Sequence, residues 1–358
     1  MRVTQLLPSL HAGDAVGDSA FEIHHALQQN GIESVVLGVN IDDNLTDRAV
    51  PFDKFPRYDT PDTIHIYHFA VPSPITYAFR EAQGRKVIVY HNITPPHFFT
   101  RFSEELVTIT TTGRHEIKLL ADVTDLGLAD SEFNRRELVS YGYRKTGVLP
   151  ILLDFSKYAR PAAPHILEQY DDHKVNLLFV GRVTPNKKQE DVIKAFHVYK
   201  RYVNPEARLL LVGKYQPQEA YVQYLHDLIA DLGVEEVYFS GHVTQQELNA
   251  FYTVADALLC MSEHEGFCVP AVESLYFGVP VLAYNCTALP YTLGNAGILI
   301  NHKRYAEIAE MIDLLIQDTT FRQAILKAQT ARLAHFQKEN ILAALFTHLG
   351  LPQTAEVR

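Results

Sequence analysis

Glu265 to Glu273 reads EGFCVPAVE, and the reading of this stretch decides the fold. An apolar run, Ala257-Leu258-Leu259-Cys260-Met261, precedes it, and Ser274-Leu275-Tyr276-Phe277-Gly278 follows. That order predicts a buried strand, a loop, and a helix stopped by Gly278. Pro270 suits the first helical turn, where its missing N–H costs nothing. Glu265 is then expected in the loop at the carboxyl end of a strand, and Glu273 about a turn inside the helix. The N–H groups of Gly266, Phe267 and Cys268 are candidates to face the same crevice. Two carboxylates beside a helix N-terminus suit an anion that also carries hydroxyl groups. The plainer alternative gives one glutamate to solvent and the other to a cap, so the rest of the chain must decide.

Upstream, Val175-Asn176-Leu177-Leu178-Phe179-Val180 reads as a parallel strand buried on both faces. It runs into GRVTPNK, Gly181 to Lys187. In an open parallel sheet this loop and the central stretch share one edge, so Arg182 and Lys187 can converge with Glu265 and Glu273 on one ligand. Two cations and a helix N-terminus neutralise a diphosphate. Taken alone, Arg182 reads as a salt-bridge partner and Lys187 as a solvated loop residue.

The strand–helix alternation extends in both directions. Strands are expected near Val3–Leu7, Ser34–Val39, Ile64–His68, Lys86–Tyr90, Leu126–Ala129 and Gly147–Leu152, then near Arg208–Val212, Val237–Ser240, Val279–Tyr284 and Gly297–Ile300. The first strand is followed by a loop, Pro8 to Asp18, and a helix from Ser19 to Asn30. Gly13 and Gly17 in that loop do not make G-x-G-x-x-G, which counts against a dinucleotide cofactor. His91-Asn92-Ile93-Thr94-Pro95-Pro96 sits at the carboxyl end of a strand and places His91 toward the ligand side. Thr244-Gln245-Gln246-Glu247 matches a capping box. Pro161 to Pro164 and the charged run after them interrupt the periodicity. The expected organisation is an N-terminal Rossmann-like domain at 1–155, a linker at 156–174, a C-terminal Rossmann-like domain at 175–335, and a terminal helix over 336–358.

A chain of 358 residues suits two domains of ordinary size. Its 47% apolar and 21% charged residues are those of a globular protein. No apolar run approaches the ~20 residues needed to span a bilayer. The formal net charge is −10. Residues 1–155 carry 14 Lys/Arg against 20 Asp/Glu, and the remainder 18 against 22, so neither half is basic. That excludes nucleic-acid wrapping and adhesion to anionic lipid as leading functions. Cys260, Cys268 and Cys286 match no zinc spacing, and reduced thiols in a cytoplasmic protein are expected.

With these motifs the sequence resembles the retaining nucleotide-sugar glycosyltransferases of GT-B architecture, in the large group known as family 4. The resemblance lies in G-R-x-x-x-x-K at Gly181 to Lys187 and in E-x7-E from Glu265 to Glu273. HAGDAVGD near the N-terminus, HNITPP at His91 and ADSEFNRREL at Ala129 to Leu138 add to it. It implies two doubly wound α/β domains facing a central cleft. The donor domain is the C-terminal one, the acceptor domain the N-terminal one, and the last helix crosses back to the first domain from about Phe336.

By the same resemblance, Arg182 and Lys187 match the pair that holds the donor pyrophosphate. Glu273 matches the glutamate on the ribose hydroxyls, and Glu265 the one beside the transferred sugar. Gly266, Phe267 and Cys268 would touch sugar or phosphate. Gly17 matches a loop glycine near the phosphates, and His91 a histidine near the reacting carbon. Two positions depart from the pattern. Cys268 stands where many members have Gly, and Ala15-Val16-Gly17 replaces the paired glycines of the first loop.

The implied function is transfer of a hexose from a UDP- or GDP-linked donor to a saccharide or lipid-linked acceptor in polysaccharide or glycoconjugate synthesis. No D-x-D motif occupies a suitable loop, so no required metal or cofactor is expected, and at most peripheral membrane association. Transfer with retention is expected: His91 is the one candidate base, no carboxylate near it in sequence orients it, which leaves a partner from elsewhere in the fold open, and the donor side is better furnished, with Arg182, Lys187 and the helix N-terminus. The competing readings are a nucleotide-sugar epimerase and a non-catalytic nucleotide-sugar sensor on the same scaffold. Base, sugar, acceptor and oligomeric state are not readable from the residues.

Overall fold

A computed structural model of the chain describes residues 1–352 and divides it into two compact units. The first holds Met1–His97, Glu104–Asp154 and the described residues 335–352; the second holds Phe98–Ser103 and Phe155–Ala334. Among the described residues, no helix is long and apolar enough to cross a membrane.

The first unit contains β1 (Arg2–Leu10), α1 (Ala15–Gln29), β2 (Glu33–Ile41), β3 (Val50–Pro51), β4 (Thr63–Phe69), α2 (Ile75–Glu81), β5 (Arg85–Tyr90), α3 (Glu104–Leu119), β6 (Leu126–Ala129), α4 (Glu132–Ser140) and β7 (Thr146–Val148). The second contains α5 (Pro164–Tyr170), β8 (Val175–Val180), α6 (Gln189–Tyr202), β9 (Ala207–Val212), α7 (Ala220–Leu232), β10 (Val237–Gly241), α8 (Gln245–Val254), β11 (Ala257–Cys260), α9 (Val269–Phe277), β12 (Val281–Tyr284), α10 (Leu289–Leu293), β13 (Ile298–Ile300), α11 (Tyr305–Gln317) and α12 (Thr319–Leu333). The last helix, α13 (Lys338–Leu349), returns to the first unit.

Each unit is a Rossmann-like domain built on one parallel sheet. The strand orders are β3-β2-β1-β4-β5-β6-β7 and β10-β9-β8-β11-β12-β13. Both orders reverse beside the first strand of the domain, at β1/β4 and at β8/β11. A right-handed βαβ crossover puts helices on both faces of such a sheet, and the reversal leaves a crevice at the strands' carboxyl ends. The strands are apolar runs because both faces are covered: Leu177, Leu178, Leu209 and Leu259 are all within 1% of full burial. In the first domain α13 completes the core, with Leu345, Phe346 and Leu349 buried against Ile64, Val87 and Leu128. Arg85 ties its end by donating to the Leu349 carbonyl at 2.6 Å.

Several boundaries differ from the sequence expectation for physical reasons. The stretch 156–174 is not a free linker: it carries a 3-10 turn at Phe155–Lys157 and helix α5, within the second unit. Pro164 opens α5 at its first turn, where proline favours a helix. The terminal-helix segment 336–358 is described as far as residue 352, and its last six residues lie outside the described chain. Helix α1 starts at Ala15, four residues earlier than expected, because Asp14 caps it. The short elements β3, α2 and α10 carry no strong periodic signal and were not expected.

Candidate active site in the second domain

The switch point at β8/β11 gathers two loops. The loop after β8, from Gly181, contains a 3-10 turn at Pro185–Lys187. The loop after β11 leads into α9. They are joined by one backbone and one side-chain bond: Glu263 N–H donates to the Asn186 carbonyl at 2.9 Å, and Asn186 Nδ2 donates to the His264 carbonyl at 3.1 Å. The loop after β9 also closes in. A Cβ on Gly213 would lie 2.0 Å from the Gly181 carbonyl oxygen, so only glycine permits this approach.

Within this frame Lys187 and Glu265 meet. Lys187 Nζ lies 2.7 and 2.6 Å from the two Glu265 carboxylate oxygens. Glu265 Oε1 also accepts from Ser262 Oγ at 2.7 Å, and the Glu265 N–H donates to Thr287 Oγ1 at 2.9 Å. The Glu265 side chain is 6% exposed and that of Lys187 23%, so the pair is held in the fold with its lysine side open. Burial opposes the Lys187 charge, but the Glu265 carboxylate outweighs it and holds the ammonium above the ordinary lysine range.

The other residues singled out from the sequence behave differently. Arg182 is 55% exposed at its side chain and makes a long pair, 3.4 Å, with Glu219. Its carbonyl accepts from Gln189 Nε2 at 3.0 Å, which fixes the backbone while leaving the guanidinium outside. Glu273 lies one turn inside α9, as its spacing predicts, and is buried. Its two oxygens accept from Tyr158 Oη at 3.0 Å and Tyr252 Oη at 2.8 Å. Burial pushes its carboxyl up. A carboxylate has about four lone-pair sites, so these two phenols do not exhaust it. Gly266 and Phe267 lie in the turn before α9, where the Phe267 carbonyl accepts from Thr292 Oγ1 at 2.5 Å.

Cys268 caps α9 with φ +72°, a left-handed backbone that favours glycine. Its Sγ faces Cys260 Sγ at 4.0 Å. Among the described residues, Cys260, Glu265 and Cys268 form a group with ligand atoms within 4.8 Å of one another. The Lys187 ammonium lies on the same carboxylate and supplies the positive charge there.

In the first domain the predicted residues also find places. Gly17 is not in a loop: it is the third residue of α1, and its N–H donates to Asp14 Oδ2 at 3.0 Å. The Asp14 carboxylate therefore occupies the helix N-terminus where an external anion would otherwise bind. His91 has an orienting carboxylate from elsewhere in the fold, a partner that its local sequence does not show. Asp130 Oδ2 lies 2.9 Å from His91 Nδ1, and His68 Nδ1 lies 3.1 Å from His91 Nε2. Parallel pairing of Tyr90 with Ala129 sets the next residues, His91 and Asp130, side by side. The motif Ala129 to Leu138 contains Asp130, but only the register joins it to His91. Thr287, Tyr158 and Tyr252 reach the site through space from 22, 115 and 21 residues away, which local sequence does not show.

The family model for group 1 glycosyl transferases matches residues 167–332. That stretch is a group 1 glycosyl transferase domain. The chain is 27% identical over 270 residues to a 41.2 kDa protein in the cps region of Klebsiella pneumoniae, covering 72% of this chain and 70% of that protein. It is 26% identical over 227 residues to the O-antigen chain mannosyltransferase B of Escherichia coli, covering 61% of this chain and 58% of the relative. Among solved structures, Anabaena Alr3699/HepE in complex with UDP-glucose superposes with TM-score 0.77 at 19% identity, over 98% of this chain and all of that one. The two Rossmann-like domains are thus of the GT-B class.

Proposed function

We propose that this glycosyl transferase moves a hexose from a nucleoside diphosphate sugar to a saccharide or lipid-linked saccharide, with retention of anomeric configuration. The observation that carries the proposal is the Lys187–Glu265 pair at the carboxyl ends of β8 and β11, beside the start of α9. A diphosphate approaching there meets a fixed ammonium whose geometry is already set by Glu265 and Ser262. As the glycosidic bond breaks, negative charge grows on the leaving diphosphate, and a preorganised cation stabilises it without reorganisation. Arg182 is placed by its backbone and free to swing its guanidinium onto the same charge. Glu273 accepts from the ribose with its remaining lone pairs, while Tyr158 and Tyr252 hold it in orientation. Glu265, Gly266, Phe267 and Cys268 border the transferred sugar. Retention is favoured because both ring nitrogens of His91 are already engaged, by Asp130 and His68. A leaving-group oxygen then takes the acceptor's proton on the same face.

The names of the relatives support the setting: one is an O-antigen chain mannosyltransferase, and one structural neighbour was solved with UDP-glucose. We accordingly place the protein in glycoconjugate or polysaccharide synthesis on the cytoplasmic side, with UDP and GDP donors both to be tried. A panel of UDP- and GDP-hexoses in thermal shift, followed by turnover with saccharide acceptors, tests the reading. Binding without any turnover or slow donor hydrolysis would make the protein a sensor, and isomerised donor without acceptor an epimerase. Proton NMR of the fresh product from an α-gluco donor is expected to show a small anomeric coupling; a large one overturns retention. Turnover is expected to persist in excess EDTA, and rescue of lost activity by a divalent ion would refute metal independence.

A further inference from the structure

Four polar side chains form one buried row in the first domain: Gln5 on β1, His68 on β4, His91 after β5 and Asp130 after β6. The contacts are Gln5 Oε1 to His68 Nε2 at 3.0 Å, His68 Nδ1 to His91 Nε2 at 3.1 Å, and His91 Nδ1 to Asp130 Oδ2 at 2.9 Å. The two imidazoles lie nearly parallel, 7° apart in plane. Gln5 and His68 are 0% exposed and Asp130 2%.

The positions of the protons follow from the fixed end of this row. Gln5 Nε2 donates to the Ala20 carbonyl at 2.8 Å, so the atom facing His68 is the amide oxygen, which only accepts. His68 Nε2 therefore carries a proton. Burial, and then the neighbouring His91, hold His68 well below the usual histidine range, so it is neutral and its Nδ1 is bare. A bare Nδ1 requires a donor, and His91 Nε2 is the atom in reach. His91 Nε2 thus carries a proton as well. A further proton lies between His91 Nδ1 and Asp130 Oδ2. The His91–Asp130 pair consequently holds one proton more than a neutral imidazole and a free carboxylate would, and it is electrically neutral. Burial pushes the Asp130 carboxyl up, against the opposing pull of His91. Its Oδ1 makes no hydrogen bond among the described residues. Both features agree with a carboxylate whose charge is met by that proton alone.

We propose that Gln5 and His68 are positioning residues that commit His91 to donate from both ring nitrogens, so that it cannot accept a proton from an incoming hydroxyl. This holds whether or not the second domain binds a sugar nucleotide, and its test does not use activity.

NMR of the full chain with isotope-labelled histidine ring nitrogens reads it directly at neutral pH. His91 is expected to show two protonated nitrogens, His68 one protonated and one bare, with scalar coupling across the N–H···N bond between them. A bare Nε2 on His91 in the native chain overturns the proposal. In Gln5→Leu, His68 is released to carry its proton on Nδ1, and His91 Nε2 is expected to move to the bare class. An unchanged His91 spectrum in a folded Gln5→Leu protein also overturns it. Gln5→Glu keeps an acceptor toward His68 and is expected to retain the native pattern. If neither variant folds, the native spectrum still decides.

Discussion

The two domains share a topology but fill their switch points with opposite chemistry. At β8/β11 there is an ion pair, Lys187 with Glu265, whose lysine is partly open to solvent. At β1/β4 there is a row of buried groups with no net charge, and the N-terminus of α1 is closed by Asp14. Strand order says where a crevice lies, because a reversal always leaves one at the carboxyl ends. It does not say what the crevice binds. In the second domain the ammonium of that pair keeps one side open to solvent. In the first, the ring nitrogens of His68 and His91 are engaged along the buried row, and the Gly17 N–H is taken by Asp14.

The sharpest way to break this contrast is Lys187→Ala. Turnover at saturating donor is expected to fall about 10²–10³-fold, the usual cost of losing one preorganised stabiliser, with a smaller loss of donor affinity. Glu265 would then be buried without its cation, and urea unfolding should show a loss of about 3 kcal/mol. Adding Glu265→Ala should return part of that stability, because no lone buried charge remains. Normal turnover in Lys187→Ala would remove the residue from the diphosphate site.

Glu273→Ala comes next. It strips the phenols of Tyr158 and Tyr252 of their acceptor, at a cost of about 2–3 kcal/mol, and it should weaken donor and free nucleotide alike. Calorimetry that finds unchanged nucleotide affinity would leave Glu273 a structural residue.

Arg182→Ala separates catalysis from stability within the same loop. Its exposed pair with Glu219 predicts a stability change under about 0.5 kcal/mol, while turnover falls about tenfold or more. Equal turnover in mutant and parent would leave Lys187 as the acting cation of the pair.

The smallest effect is expected at Cys268. Glycine relieves the left-handed backbone but loses a buried thiol, so Cys268→Gly should shift stability by no more than about 1 kcal/mol. Cys268→Val places a β-branched side chain at φ +72° and should destabilise by about 2 kcal/mol. Equal melting of the two variants would show that the turn before α9 relaxes on substitution.

What could be read from the residues and what could not follows a physical line. Val175–Val180 was legible as a strand because a run buried on both faces has no polar alternation to confuse it. The Thr244 capping box was legible because its partner lies three residues away, and both of its hydrogen bonds form. The start of α1 was misplaced because Gly13 and Gly17 read as loop, whereas the Asp14 side chain stabilises the turn between them. Helix α5 was hidden by a proline that opens it.

The site divides in the same way. The sequence by itself determined that Arg182, Lys187, Glu265 and Glu273 lie on loops and a helix start at strand ends, since periodicity and punctuation are local properties of the chain. Tertiary structure alone decided that Lys187 pairs with Glu265 while Arg182 points outward. It alone gave Glu273 to two tyrosines, and His91 to an aspartate 39 residues away. Parallel strands are joined by long crossovers, so the neighbours across a register are distant in sequence, and the partners that set charge and proton position are chosen there.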